Sequence, residues 1–102
     1  MSIPFSSCLV AKAANGNKKQ YEELCYVVSV NVQHGGFTKR ECDCKKRCHA
    51  SRAKRLKLLD RLIADFGIFD LKISKAKQLR VKRFIASMLE VDKGEPAAIA
   101  LM

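Results

Sequence analysis

The sequence predicts an α+β fold, in which a small N-terminal β-hairpin or three-stranded sheet is followed by a Cys/His metal-binding segment and two amphipathic α-helices. A Val-rich stretch in the β-rich part (residues 1–41) alternates in polarity, cysteines cluster over residues 42–49, and apolar residues then recur at helical spacing. A chain of 102 residues suits one domain, so we expect residues 1–102 to fold as a single unit.

The predicted long strand is the stretch LCYVVSVNV, residues 24–32. It is rich in valine, and every second side chain is apolar or aromatic, which is typical of a strand. The dipeptide Asn15-Gly16 indicates a turn before it, and we expect a short strand over residues 7–13 to pair back across that turn. Residues 37–41 are predicted to return as a brief third strand.

Two basic amphipathic helices are predicted after the cysteines, over residues 45–66 and 70–92. Gly67 is suited to end the first helix, and Asp70 and Ser74 are both suited to cap the second. Apolar residues at spacings of three and four define their buried faces. These are Leu56, Leu59, Leu62, Ile63 and Phe66 in the first helix, and Ile73, Ala76, Phe84, Ile85, Met88 and Leu89 in the second.

The cysteine cluster has the pattern Cys42-x-Cys44-x3-Cys48-His49, which is compact enough to surround one metal ion. With a helix that begins near Cys44, the sulfurs of Cys44 and Cys48 lie at i and i+4 on one face. Cys42 precedes the helix and can fold over the same point. Three thiolates select zinc among the common intracellular metals, so we predict Zn²⁺ as the cofactor.

The fourth ligand stays open in the sequence. His49 is nearest, but neighbours on a helix point about 100° apart, so it reaches the ion only where the helix frays. His34 and Cys25 are alternatives. Buried free thiols and disulfide or redox chemistry are alternatives to metal binding, and Cys8 alone is interpreted as a small buried residue. Five cysteines without a secretion signal favour a reducing, intracellular compartment.

The charge of the chain indicates an anionic partner. A net charge of +10 favours nucleic acid first and a membrane surface second. Both predicted helices carry cations on the face opposite their apolar stripe, and few aromatic residues are available for base stacking, so we expect contacts to the phosphate backbone. The candidate nucleic-acid-binding residues are Lys39, Arg40, Lys45, Lys46, Arg47, Arg52, Lys54, Arg55, Lys57, Lys75, Lys77 and Arg80.

Other functions are weighed against this one. The segment KKRCHASRAKRLK resembles a basic nuclear import signal, which supports the alternative of a zinc-stabilised protein–protein adaptor or transcription cofactor. Amphipathic helices with few aromatics favour a homodimer through the C-terminal helices, against an intramolecular helical hairpin. We expect no catalysis and no small-molecule substrate, because phosphate loops, nucleophile elbows and HExxH are absent from the sequence. No stretch approaches about 18 apolar residues.

The stretch CDCKKRCHASRAKRLKLLDRL resembles the small cysteine-rich proteins of rod-shaped plant RNA viruses of the hordei-, tobra-, peclu-, furo- and benyvirus types. Shared features are the Cys/His cluster with basic residues inside it and a following helix with a heptad-like stripe. LCYVVSVNV also resembles the tobravirus version, so the resemblance covers residues 24–65. It implies a protein that binds zinc and RNA, self-associates and suppresses host RNA silencing, in the host cytoplasm with nuclear or nucleolar entry in some members.

Carried over residue by residue, the resemblance implies a metal site of Cys42, Cys44, Cys48 and one histidine. The basic site that it implies consists of Arg47, Arg52, Lys54 and Arg55. This chain has one cluster where several members of that family have two.

Overall fold

The computed structural model describes residues 2–42, 48–66 and 74–91. Within these ranges the chain is mostly helical, with a small two-stranded parallel sheet. The coarse α+β prediction is therefore confirmed. The elements in chain order are β1 (Phe5–Ser6), α1 (Ser7–Ala14), α2 (Lys18–His34), β2 (Lys39–Arg40), α3 (Arg52–Asp65) and α4 (Lys75–Met88).

The prediction of a strand over residues 24–32 is wrong, because these residues lie inside α2. The Asn17 side chain caps the helix by accepting a hydrogen bond from the backbone N–H of Gln20, and Gly35 ends it in the left-handed conformation with φ 69°. Valine disfavours helix only weakly, and packing of one face outweighs that preference. The buried residues recur at helical spacing: Tyr21, Leu24, Val27, Val28 and Asn31.

The predicted short strand over residues 7–13 is also wrong, because it forms α1. The Asn15-Gly16 turn is present, but it joins two helices instead of two strands. Gly16 has φ 96°, which favours glycine, and the backbone N–H of Asn17 donates to the carbonyl of Lys12 over 3.1 Å. The β-hairpin of the prediction is therefore replaced by a helical pair.

The small sheet pairs β1 with β2 in parallel, with Phe5 opposite Lys39 and Ser6 opposite Arg40. The predicted third strand over residues 37–41 contains β2, but its partner is β1 and the pairing is not that of a hairpin. Helices α1 and α2 form the connection that parallel strands require. The chain therefore leaves β1 and β2 at the same end of the sheet.

The two predicted C-terminal helices are present with different starts. Ser51 and Ser74 are the N-caps of α3 and α4, and each side chain accepts a hydrogen bond from the backbone N–H three residues later, over 3.3 Å. Residues 48–50 therefore precede the first of these helices. The predicted caps Gly67 and Asp70 lie outside the described residues, as do residues 43–47 and the tail over residues 94–102.

The hydrophobic core draws on every helix and on β1. Phe37, in the loop before β2, contacts the rings of Phe5 and Phe84 with centroid distances of 6.0 and 5.4 Å, which joins the sheet to α4. Among helices inside the described ranges, none has the length and apolar character needed to cross a bilayer. The fully buried hydrophobic residues include Phe5, Leu24, Val28, Leu62, Ile85, Met88 and Leu89.

Asn31 is the one fully buried polar residue among the described positions. Its side chain accepts a hydrogen bond from the backbone N–H of Ile3 over 2.7 Å and donates one to the Ile3 carbonyl over 3.1 Å. We expect Asn31→Ala to lower the free energy of unfolding by about 2 to 3 kcal/mol, because both backbone groups lose their partner. Urea titration checks this, with the exposed Gln33→Ala on the same helix as the control. Equal destabilisation by both variants contradicts the prediction.

Candidate metal centre

Three cysteine sulfurs meet on one side of the fold. The Sγ atoms of Cys8, Cys42 and Cys48 all lie within 4.8 Å of one another. The Cys8 thiol contacts the Cys48 sulfur at 2.9 Å. Cys8 is buried, whereas Cys42 and Cys48 are half-buried. Clustered thiols of this kind form a soft donor set that suits a metal ion.

The sheet register explains how two of these cysteines meet. Ser6 lies opposite Arg40, and the two strands run in the same direction. Cys8 comes two positions after Ser6, and Cys42 comes two positions after Arg40. Cys8 lies in the first turn of α1, and Cys42 follows β2. The parallel pairing therefore delivers two thiols that are 34 positions apart in the sequence to the same end of the sheet.

Cys48 reaches the other two thiols through the segment that precedes α3. The Asn15 side-chain amide donates to the His49 carbonyl over 3.0 Å, and the Lys54 ammonium donates to the Asn15 side-chain oxygen over 3.0 Å. Ala50, next in the segment, is buried. These contacts attach the start of α3 to the end of α1 and hold Cys48 beside Cys8.

Three thiols this close together can hold one metal ion. Zinc–sulfur bonds of about 2.3 Å in tetrahedral geometry place pairs of sulfurs about 3.8 Å apart. The Cys8–Cys48 distance of 2.9 Å is about 0.9 Å shorter, so these two sulfurs have to move apart by that amount to bind one ion. Lys39 and Arg55 line the cavity beside Cys48. Three thiolates and a divalent ion carry one net negative charge, which nearby cations stabilise.

The structure brings together two of the predicted ligands, Cys42 and Cys48, and adds Cys8, which we interpreted only as a small buried residue. The predicted i, i+4 pair on a helix is wrong, because Cys48 precedes Ser51, the cap of α3. Cys44 lies outside the described residues and stays a predicted ligand. Its place in the sequence, between Cys42 and Cys48, keeps it the first candidate for the fourth position.

His49 is the predicted fourth ligand, and His34 and Cys25 are its alternatives. His49 is exposed and follows Cys48 directly, and His34 is exposed at the C-terminal end of α2. Cys25 lies on α2 beside Tyr21 and Asp65. None of these three belongs to the thiol group found among the described residues.

Cys25 belongs to a second cluster that joins α2 to α3. The Tyr21 hydroxyl donates to the Asp65 carboxylate, and the Arg61 guanidinium lies 4.0 Å from the centre of the Tyr21 ring. Burial, together with the hydrogen bond to Asp65, raises the pKa of Tyr21 above its ordinary value. Burial also raises the pKa of the Cys25 thiol. Both groups are therefore held in their neutral forms in the folded protein.

These two raised pKa values predict a loss of stability in alkali. A group whose pKa is higher in the folded than in the unfolded chain contributes stability below its unfolded pKa, and that contribution disappears as pH rises through the folded pKa. The ordinary values are 9.0 for the Cys25 thiol and 10.0 for the Tyr21 hydroxyl. We expect the free energy of unfolding to decline as pH increases from 9.0.

Chemical denaturation across that pH range checks this. The double variant Tyr21→Phe with Cys25→Ala removes both ionisable groups, so its free energy of unfolding is expected to decline less steeply with pH. Parallel curves for the variant and the natural sequence contradict the assignment.

Four of the predicted nucleic-acid-binding residues bind other parts of the chain. Lys39 pairs with Glu90 over 2.6 Å, and Lys54 binds Asn15. Arg52 donates to the Val91 carbonyl over 3.2 Å, and Arg55 donates to the carbonyls of Leu89 and Glu90 over 3.2 and 2.6 Å. Arg52 and Arg55 connect the start of α3 to the end of α4, where carbonyl groups lack helical partners.

The remaining described candidates are available to a partner. None of them forms a side-chain ion pair or hydrogen bond with another described residue, and all are exposed except Lys77, which is half-buried. Arg83, which was not among the candidates, is also exposed on α4. Lys45, Lys46 and Arg47 lie outside the described ranges. The available candidates are Arg40, Lys57, Lys75, Lys77 and Arg80.

Comparison with known proteins finds no matching family model, no matching curated protein and no matching solved structure. The resemblance to the viral cysteine-rich proteins therefore stays a prediction.

Proposed function

We propose that this protein binds zinc through its three clustered thiols and binds nucleic acid through the outward cations of α3 and α4. The observation that carries the proposal is the convergence of Cys8, Cys42 and Cys48 beside the most basic part of the chain. The ion crosslinks α1, the end of β2 and the start of α3. It thereby fixes α3 as a frame for the cations that face outward.

Zinc is the metal that we assign to the site. Thiolate sulfur selects soft metals, and a cysteine-rich site with four ligands is a common structural zinc site. Cys44 is the proposed fourth ligand, with His49 as the alternative. A closed site of this kind contributes directly to folding, because the unfolded chain does not hold the thiols together.

The nucleic-acid proposal is supported by the distribution of charge. The chain has 20 basic and 10 acidic residues, so many cations lack an acidic partner. Exposed cations such as Lys57 and Arg80 form no ion pair with a described residue. Such cations bind phosphates without choice of sequence. RNA is favoured by the resemblance to the viral cysteine-rich proteins, and suppression of host RNA silencing is the role that we propose on that resemblance.

A second candidate function is that of a protein–protein adaptor. Leu56 and Leu79 are 42% and 50% exposed, and both line a groove of about 240 Å³ between α3 and α4. Lys82 and Arg83 also line this groove. An apolar groove with cationic edges suits an amphipathic helix with acidic flanks.

Native mass spectrometry and salt-dependent binding test the proposal together. The reduced protein is expected to carry one zinc per chain, which a chelator removes. Fluorescence anisotropy with labelled duplex and single-stranded RNA is expected to show affinity that falls linearly on a double-logarithmic plot against salt. A folded, reduced protein without zinc contradicts the metal site, and affinity that is independent of salt contradicts phosphate binding and favours the adaptor.

A further inference from the structure

The sulfurs of Cys8 and Cys48 lie closer together than metal binding requires, and their separation is near that of a disulfide. Their sulfurs are 2.9 Å apart, although the residues are 40 positions apart in the sequence. A disulfide bond is about 2.0 Å long, so a shift of about 1 Å joins the two sulfurs. Thiols that face each other across a tertiary contact are a ready pair for oxidation.

Both thiols are adjacent to open space. Cys48 lines a cavity of about 180 Å³, together with Lys39 and Arg55. Cys8 lines a different cavity of about 440 Å³, which Arg40 also borders. A water molecule takes up about 30 Å³ in the liquid, so either cavity admits a small oxidant such as hydrogen peroxide. The half-buried Cys48 is the more accessible of the two sulfurs.

We propose that hydrogen peroxide oxidises Cys8 and Cys48 to a disulfide, and that this reaction releases the metal. The Cys48 sulfur attacks the peroxide, an S–O bond forms, the O–O bond breaks, and one water leaves. The Cys8 sulfur then attacks the sulfenic sulfur, an S–S bond forms, the S–O bond breaks, and the second water leaves. In the metal-free protein two thiols lose two electrons and two protons in total, and hydrogen peroxide is reduced to two waters. In the metal-loaded protein the two sulfurs are thiolates, so solvent supplies the two protons.

Metal release follows because two of the three described ligands are consumed, and this half of the inference rests on the proposed function. Disulfide formation itself is inferred only from the contact between the Cys8 and Cys48 sulfurs. The new bond joins α1 to the segment before α3, the same two parts that the ion joins. We therefore expect the oxidised, metal-free protein to unfold at a higher temperature than the reduced, metal-free protein.

The test treats the chelated full-length protein with an equimolar amount of hydrogen peroxide. We expect two of the five thiols to become resistant to alkylation, a loss of two hydrogens in the intact mass, and a Cys8–Cys48 peptide in the non-reducing digest. A dithiol restores the original mass. In the zinc-loaded protein the same treatment is expected to release zinc, measured with a chromogenic chelator, in step with thiol loss.

Three variants separate the two halves. Cys42→Ala is expected to weaken zinc binding and still form the Cys8–Cys48 disulfide, whereas Cys48→Ser forms none. Cys25→Ser, which changes a thiol outside the group, is expected to behave like the natural sequence. A digest dominated by a disulfide to Cys42, by intermolecular dimers or by sulfinic acid overturns the inference. If the natural protein binds no zinc yet forms the Cys8–Cys48 disulfide, the proposed function fails and the oxidation stands.

Discussion

Replacing Cys48 with serine is expected to abolish stoichiometric zinc binding and to lower the midpoint of thermal unfolding by on the order of 20 °C. Cys48 is one of three sulfurs within 4.8 Å of one another, and its loss removes the contact that joins the start of α3 to Cys8. Zinc at a thousand times its dissociation constant adds about 4 kcal/mol to stability. Each kcal/mol shifts the midpoint of a domain of this size by about 4 to 8 °C.

Differential scanning calorimetry with and without a chelator measures this effect. Cys25→Ser is the matched control, because Cys25 is also half-buried but lies beside Tyr21, outside the thiol group. We expect the chelator to destabilise the natural sequence and Cys25→Ser, and to leave Cys48→Ser unchanged. Chelator-independent midpoints for all three proteins contradict a structural metal.

Reversing two outward charges is expected to weaken RNA binding by about a hundredfold at moderate salt, without loss of fold. The double variant is Lys57→Glu with Arg80→Glu, one change on each of α3 and α4. Both side chains are exposed, and neither pairs with another described residue. Each phosphate contact contributes about one unit to the slope of log affinity against log salt, so the slope is expected to fall by about two units.

One control variant tests whether binding depends on this surface, and a second variant tests a cation that binds within the fold. Lys18→Glu with Lys19→Glu carries the same change of net charge on α2, and a smaller loss of affinity is expected. Arg55→Ala is expected to lower the free energy of unfolding by about 1.5 to 3 kcal/mol, because its guanidinium binds the carbonyls of Leu89 and Glu90. Equal losses of affinity for the two double variants indicate attraction to net charge and contradict an interface on α3 and α4.

The two C-terminal helices could be predicted because their apolar residues recur at helical spacing, and Ser74 was one of the two predicted caps. Ser51 was not predicted as a cap, and the first helix was therefore expected to begin earlier than it does.

The prediction of a strand over residues 24–32 was wrong because the segment has two periodicities. Valine alternates at every second position, and buried residues also recur at the helical spacing of three and four. Tyr21, Leu24 and Val28 lie on one helical face, and Asn17 and Gly35 are suitable caps at the two ends of that helix. Length and capping residues were the stronger signals in this segment, and β-propensity was the weaker one.

Cys8 could not be predicted as a member of the metal centre. Its partners are distant in the sequence, and its position depends on the parallel pairing of Phe5–Ser6 with Lys39–Arg40. A strand of two residues gives no periodicity from which such a pairing can be predicted. Arg52 and Arg55 show the same limit, because their carbonyl partners at the end of α4 are more than 30 positions away.

The separation of Cys8 from Cys48 also sets an order of events during translation. Forty positions separate the two residues, and at about 5 to 20 residues per second the ribosome adds them in roughly two to eight seconds. Helices α1 and α2 leave the ribosome before Cys48 does, so they can pair before the last described thiol is exposed. The nascent chain therefore presents Cys8 first, and the three-thiol group is complete only after Cys48 has left the exit tunnel.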